Sequence, residues 1–387
     1  MSKIDELIAQ YCPDGVELKE LGKVCDFKRG KTITAKNAIE GDVPVIAGGQ
    51  KPSYYHNEAN RTGETISISS SGAYAGFVNF WTIPVFLSDS FSVEVNYDIL
   101  NTKYVFYYLK SKQEDIHNTK KGSGVPHVHG SSIAKFQIPI PPLPLQEEIV
   151  SILDKFTALE AELEAELEAR TRQYDYYRNE LLSFDGKDVE WKALGEVGEF
   201  IRGSGLQKTD FRESGVGCIH YGQIYTYYGT SATETKSFVS EELAMKLKKV
   251  NKGDVIITNT SENIEDVCKA VAWLGDEEIV TGGHACIFKH NENPKYIAYC
   301  TQVNSFFIQK KKLVKGTKVM DVSAKDLAKI KIPVPPIEEQ GRIVAILDKF
   351  DALVNDISSG LPAEILARRQ QYEYYRGKLL TFKPLTA

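Results

Sequence analysis

Residues 121–159 read KGSGVPHVHGSSIAKFQIPIPPLPLQEEIVSILDKFTAL, and residues 315–353 read KGTKVMDVSAKDLAKIKIPVPPIEEQGRIVAILDKFDAL. They align without a gap at a constant offset of 194, sharing I-P-x-P-P, a Gln, and I-V-x-I-L-D-K-F. A match of that length marks a duplication, and a duplication governs every later step in reading a fold. A second match sets Tyr174-Asp-Tyr-Tyr-Arg and Leu181-Leu-Ser-Phe against Tyr372-Glu-Tyr-Tyr-Arg and Leu379-Leu-Thr-Phe at an offset of 198, so the second copy carries four extra residues. A third sets Val16-Glu-Leu-Lys-Glu-Leu-Gly against Val189-Glu-Trp-Lys-Ala-Leu-Gly, with Phe27 and Arg29-Gly30 opposite Phe200 and Arg202-Gly203. Residues 7–11 resemble 181–184, so the repeat is circular: the chain begins where a unit ends. Between these borders, residues 31–120 and 204–314 share no convincing run, and the second stretch is about twenty residues longer. The pattern is a duplicated frame holding two unlike inserts.

Periodicity gives the frame its form. Ile149, Ile152, Phe156 and Leu159 step by three and four, as do Ile343, Ile346, Phe350 and Leu353. Tyr174, Tyr177 and Leu181 extend the first stripe, and Tyr372, Tyr375 and Leu379 the second. Such stripes predict helices packed along a narrow seam, with the tyrosines joining the pair. Residues 146–183 hold neither Gly nor Pro and predict one unbroken helix of about 57 Å. The second helix should break at 358–362 (SSGLP). The proline runs 138–144 and 332–336 predict extended lead-ins. In the inserts, 65–71, 77–87 and 255–260 carry strand signals, while Thr102–Ser111 and 295–307 read as helices, which makes each insert a mixed α+β domain.

The 387 residues are 42% apolar and 26% charged, as expected of a folded chain of two or three domains. No apolar run is long enough to span a bilayer. Met1-Ser-Lys-Ile-Asp-Glu has acids where a signal peptide would be apolar, and the six scattered cysteines read as reduced thiols, so a cytoplasmic location is expected. The net charge is −5, but residues 146–183 carry −6 and 338–380 carry −1, leaving the remainder at +2. Net charge therefore does not argue against a DNA partner.

Catalytic constellations are near-misses. Gly30-Lys31-Thr32 lacks the first glycine of a phosphate loop, since position 25 is Cys. Asp14 and Glu17 stand too close in sequence to sit on adjacent strands around Mg²⁺. No signature for amino-methyl transfer is present, and the copy of His127-Val-His129 is Asp321-Val-Ser323, which keeps neither histidine. No metal site and no enzyme are expected. What remains is a basic surface interleaved with aromatics: Lys28, Arg29, Lys31, Lys120, Lys121, Arg202, Lys208, Tyr221, Lys310, Lys311, Lys312, Lys315 and Lys318 are the candidates for DNA contact. A solvated lysine face would produce the same composition.

The paired I-P-[IV]-P-P…Q-x-x-I-V-x-I-L-D-K-F and Y-x-Y-Y-R-x-x-L-L-[ST]-F blocks, in circular order around two dissimilar inserts, closely resemble the specificity (S) subunit of type I restriction–modification enzymes. The resemblance covers essentially the whole chain. It implies an N-terminal helix (1–15), a first target recognition domain (16–144), a first spacer helix (145–184), a second recognition domain (185–336) and a second spacer region (337–387). The fold implied is α+β: two mixed domains in pseudo-two-fold repeat, joined by long helices packed as an antiparallel coiled coil. Each domain would read one half of a bipartite duplex DNA site, with the helices as a spacer of fixed length. Two modification methyltransferase subunits and restriction translocase/nuclease subunits would be the partners, and S-adenosylmethionine, ATP and Mg²⁺ would belong to them. The competing expectations are a protein-assembly scaffold without DNA specificity and a stand-alone nuclease or methyltransferase.

Overall fold

A computed structural model describes residues 3–122 and 124–385. The chain divides into two compact units, one built from Met1–Leu163 with Ile365–Ala387 and the other from Glu164–Glu364.

The core of the first unit is an antiparallel sheet in the order Cys25–Arg29, Ser90–Val95, Thr65–Ser69, Val78–Trp81. Beside it lies a three-stranded sheet, Tyr54–His56, Val43–Ile46, Phe86–Leu87, whose last pair is parallel. The stretch 77–87 expected as one strand is therefore two, separated at 82–85 around Pro84, which has no N–H to offer a ladder. Helix Thr102–Ser111, capped by the Asn101 side chain, buries Tyr104, Val105, Tyr107, Tyr108 and Leu109 against this sheet's core.

The second unit repeats this topology. Gly198–Arg202, Ala285–His290, Val255–Thr258 and Ala270–Trp273 follow in the same order, and Ser237–Val239, Val216–Ile219 and Ile279–Thr281 form the second sheet with the same parallel pair. The inserts are unlike in sequence, but their strand ladders match, as the pseudo-two-fold repeat expects. Arg29 pairs with Phe91, and Arg202 with Cys286. Ile46 pairs with Leu87, and Ile219 with Thr281. The second unit adds helix Tyr221–Thr226 and strands Ser231–Ala232 and Lys248–Val250, which account for most of its extra length. The single helix expected over 295–307 is two, Pro294–Cys300 and Asn304–Lys311.

The repeated motif residues hold the frame together. Gln146 and Gln340 are completely buried; Gln146 binds three backbone groups, and Gln340 two backbone groups and the Glu292 carboxylate. Gln146 Nε2 donates to Pro141 O (2.7 Å) and Ile99 O (2.8 Å), while its Oε1 accepts from Asn101 N–H (2.8 Å). Gln340 bonds Pro335 O (2.8 Å) and Asn293 N–H (3.0 Å) in the same way. Each proline run enters a short ladder only at its start, Gln137–Pro139 with Leu18–Glu20 and Lys331–Pro333 with Trp191–Ala193, and beyond it the glutamine side chain supplies a partner for the buried carbonyl of Pro141 or Pro335. The motif Asp is a clamp: Tyr107 Oη donates to Asp154 (2.6 Å) and Lys103 pairs with it (2.7 Å), as Tyr299 (2.7 Å) and Lys295 (2.6 Å) do with Asp348.

The long helix is Leu143–Ser183, 41 residues, starting three residues earlier than expected. Pro144 is tolerated there because a first-turn N–H has no intrahelical acceptor to lose. The second helical region breaks as expected: Ile337–Asn355 ends, and Leu361–Leu379 begins. Asp356 makes the break by accepting from Ser358 N–H (2.7 Å) and the Ser358 hydroxyl (2.6 Å).

Each unit contains a helix pair built from both copies of the repeat. In the first, Phe156 stacks on Tyr375 (centroids 5.4 Å) and meets Tyr372 (6.4 Å), while Glu160 pairs with Arg369 (2.5 Å). One number rises as the other falls, so the pair is antiparallel. In the second, Phe350 stacks on Tyr177 (5.5 Å) and Tyr174 (6.3 Å), and Tyr174 Oη donates to Asp351 (3.2 Å). The stripe expected as one seam serves two purposes. Ile149, with Leu145 and Leu153, is buried in the core of its unit, and Ile343 joins Val344 and Leu347 in the core of the other. Ile152, Ile346, Leu159 and Leu181 are half-buried, Leu353 is 37% exposed, and Leu379 is buried. A helix that serves a core and a partner needs two apolar faces, and one stripe cannot supply both.

The circular order is visible in the first unit. Val16 N–H donates to Lys383 O (2.8 Å) and Leu385 N–H donates to Val16 O (2.9 Å), while Leu379 and Leu380 enter that unit's core. Of their repeat counterparts, Leu182 enters the core of the second unit and Leu181 packs against it, where the chain runs on without a break.

Candidate nucleic-acid interface

The Arg-Gly pair at the edge of each insert sits on one sharp bend. Gly30 N–H donates to Ser90 O (2.8 Å), and Gly203 N–H to Ala285 O (3.0 Å). A Cβ would lie 2.3 Å from Leu87 O at Gly30 and 2.0 Å from Gly282 O at Gly203, so only glycine fits. The glycine that mimicked part of a phosphate loop is there for this close approach. It leaves Arg29 and Arg202 exposed at matching strand ends.

The other edge of each insert is also a matched backbone device. Lys121 and His127 exchange two backbone hydrogen bonds (both 2.9 Å), and Lys315 and Asp321 do the same (2.9 and 2.8 Å). Val128 N–H then donates to Ser70 O, and Val322 N–H to Asn259 O (both 2.9 Å). Arg29 and His127 line one shallow cleft with Ser70 and His129, of about 200 Å³. The rings of His127 and His129 stack at 6.4 Å. Among the described residues, no group of three or more His, Cys, Asp or Glu is placed to hold a metal.

The remaining candidates fall into separate groups. Lys31, Lys121, Lys208, Lys311, Lys312 and Lys318 are exposed. Lys28 is exposed but pairs with Glu94 across the sheet, and Lys120 Nζ lies 3.4 Å from Ala73 O. Lys315 pairs with Asp326 (3.0 Å), whose carboxyl is held below its ordinary range by the ammonium groups of Lys329 and Lys315 and the Ser323 hydroxyl. Lys310 departs from expectation. It is 3% exposed, and its Nζ donates to Val267 O (2.7 Å) and Glu265 O (2.8 Å). This ammonium caps two backbone carbonyls inside its unit and is not available to a phosphate, and burial pushes its pKa down. The densest basic run therefore has one member turned inward.

Tyr221 and Lys208 come together around two histidines. Tyr221 packs on His220 (4.4 Å) and on His284 (4.7 Å), at the mouth of a cavity of about 360 Å³ that also includes Tyr225 and Thr260. His220 caps helix Tyr221–Thr226 by accepting from Gly222 N–H (3.1 Å). Burial first, then the charges of Lys208 and His284, lower its pKa from 6.5, which keeps the ring neutral as that cap requires. His284 and Thr260 are absent from the sequence-derived candidates. A signal for this region exists: the offset of 173 that sets Val16 against Val189 continues to Val43, Ile46 and Gly49 against Val216, Ile219 and Gly222.

No helix among the described residues is long and apolar enough to cross a membrane. Residues 13–169 and 186–367 each match the type I restriction modification DNA specificity domain. The chain is 37% identical over 415 residues to the EcoR124I/EcoR124II type I restriction enzyme specificity subunit of Escherichia coli, covering 100% of this chain and 98% of that one. It is 29% identical to a putative type I restriction enzyme specificity subunit of Haemophilus influenzae, over 95% of this chain and 96% of that one. Its fold is shared with the crystal structure of a type I restriction–modification S subunit from M. genitalium, with a TM-score of 0.58 at 20% identity over 94% of this chain and 96% of that one. The duplicated frame, the two matched specificity domains and the full-length likeness to specificity subunits meet in one conclusion: the chain belongs to the type I restriction–modification DNA specificity family, as a non-catalytic specificity subunit.

Proposed function

We propose that residues 16–144 and 185–336 are target recognition domains, each reading one half of a bipartite, asymmetric duplex DNA site. One observation carries this reading: the two units share their strand ladders and edge devices, with Arg29 and Arg202 and Lys121 and Lys315 in common, while neighbouring side chains differ, as His127 does from Asp321 and Lys31 from Ser204. A common frame with unlike side chains suits two unlike half-sites at matching depth in a groove. Arg29, Lys31, Lys120, Lys121, Arg202, Lys208, Lys311, Lys312, Lys315 and Lys318, with Lys28 once released from Glu94, are the proposed phosphate contacts, and Tyr221 a proposed base-stacking contact. The helices of residues 145–184 and 337–387 set the spacing and dock two modification methyltransferase subunits, to which the restriction translocase/nuclease subunits add. S-adenosylmethionine, ATP and Mg²⁺ then belong to those partners, and the assembly works in the cytoplasm.

The test is adenine-methylation sequencing of a host carrying the methyltransferase partner, with and without this gene. A bipartite motif with a fixed gap that vanishes with the gene supports the reading. Replacing residues 31–120 with a foreign insert should change one half alone, and adding one helical turn within 160–168, about 5.4 Å, should change the gap. Changes in both halves, or an unchanged gap, would overturn the respective part.

A further inference from the structure

The two units carry one duplicated side-chain pair whose chemistry has been exchanged. Ser70 N–H donates to Asp89 O (3.0 Å), and at the matching place Asn259 N–H donates to His284 O (2.8 Å). The strand pairings Ser69 with Ser90 and Thr258 with Ala285 fix the correspondence, so Ser71 answers to Thr260 and Asp89 to His284. Both positions keep a hydroxyl bonded to the neighbouring side chain. The Ser71 hydroxyl donates to Asp89 Oδ2, and Thr260 Oγ1 bonds His284 Nδ1 at 2.9 Å. Backbone and hydroxyl are thus conserved between units, while the group they present is a carboxylate in one and an imidazole in the other.

The surroundings fit a surface that meets a ligand. Asp89 is half-buried and His284 exposed, each beside the glycine bend that presents Arg29 or Arg202. At the position before Gly49 and Gly222, the first unit has Gly48 and the second has Tyr221, whose ring packs on His284. A Cβ at Gly48 would lie 2.5 Å from Ser71 O, so the close backbone approach in the first unit admits only glycine where the second carries an aromatic. Among the described residues, Asp89 has no ion-pair partner to neutralise it.

We infer that Asp89 and His284 are equivalent specificity-determining residues, each facing a base edge in its own half-site; the inference rests on the two-domain reading above. A carboxylate accepts only, so Asp89 selects a base presenting an exocyclic amino group, cytosine N4 or adenine N6, in the major groove. The Thr260 hydroxyl can donate to His284 Nδ1, which leaves the ring proton on Nε2 and selects a purine N7 or guanine O6 acceptor. The hydroxyls orient both groups in advance, and the chemistry at one duplicated position gives the two halves different sequences.

The test uses the purified chain with its methyltransferase partner and a duplex library randomised in both halves. Asp89→Asn, Asp89→His and His284→Gln are compared with the unaltered chain after their unfolding midpoints are shown to match it. The Asp89 variants should shift base preference about tenfold or more at one or two positions of one half, and His284→Gln should do so in the other half only. If Asp89 variants do not fold, Ser71→Ala leaves the carboxylate but frees it to rotate, and a smaller shift in the same half is expected. A bipartite motif in the unaltered chain that persists unchanged in every folded variant, or shifts confined to one and the same half, retires the inference and leaves the two-domain reading standing. No bipartite motif from the unaltered chain retires both.

Discussion

Phe156 of the first repeat copy stacks on Tyr375 of the second, ring centroids 5.4 Å apart and planes 25° from parallel. Phe350 of the second copy makes the reciprocal stack on Tyr177 of the first, at 5.5 Å and 27°. Each unit is therefore completed by a motif that the sequence assigns to the other copy.

Truncating either ring tests this exchange. Phe156→Ala should cost about 2 kcal/mol, combining lost burial with a lost aromatic contact. Urea unfolding of Phe156→Ala, Tyr375→Ala and the double variant should give a coupling of about 1 kcal/mol. Additive costs would show that the rings do not act together.

The buried glutamines make a sharper prediction. Gln146→Ala leaves Asn101 N–H and the carbonyls of Ile99 and Pro141 without their partner. Each buried group left unpaired costs about 1–3 kcal/mol unless water enters, so a loss of about 3 kcal/mol is expected, with a similar value for Gln340→Ala. Calorimetry would check it, and a loss under 1 kcal/mol in both would contradict the bracketing role.

The frame was legible in the sequence because its residues meet strict demands: a proline run that needs a glutamine, a helix that needs an apolar stripe, a bend that admits only glycine. The inserts were less so. Their shared ladders rest on alternating apolar positions, where Ile66 and Val255 or Val93 and Phe288 are interchangeable, so topology survived while identity was lost. One short repeated stretch within them, Lys103-Tyr104-Val105-Phe106-Tyr107 against Lys295-Tyr296-Ile297-Ala298-Tyr299, stands out only once its partners are known. Its spacing places two tyrosines one turn apart to reach the proline carbonyl and the motif Asp. Lys310 misled for a different reason: a lysine run gives no sign of which ammonium turns inward to cap a carbonyl.

Acid should weaken the second unit before its carboxylates titrate. Burial, chiefly, lowers the pKa of both His220 and His290 from 6.5. As pH falls through about 6.5 the unfolded chain takes up these protons first, so stability declines from there until the folded pKa values are passed. Carboxyls with lowered values, such as Asp326, act only below their ordinary 3.8. Thermal melts at pH 8 and pH 5 should show the decline. His220→Asn, which keeps an acceptor for the helix cap but does not titrate, should reduce it.

Lys310 and Lys318 separate a structural lysine from a surface one. Lys310→Ala strips the carbonyls of Glu265 and Val267 of an ammonium donor and should destabilise the chain by about 2 kcal/mol. Because that group is not offered to phosphate, the salt dependence of duplex binding should keep its slope. Lys318→Ala removes an exposed charge, should leave stability within about 0.5 kcal/mol, and should reduce the slope of log K against log salt by about 0.9 if it touches one phosphate. Binding titrations from 50 to 200 mM salt on the complex with its methyltransferase partner measure both. A slope that falls for Lys310→Ala and holds for Lys318→Ala would reverse the assignment and place the inward-turned ammonium at the DNA.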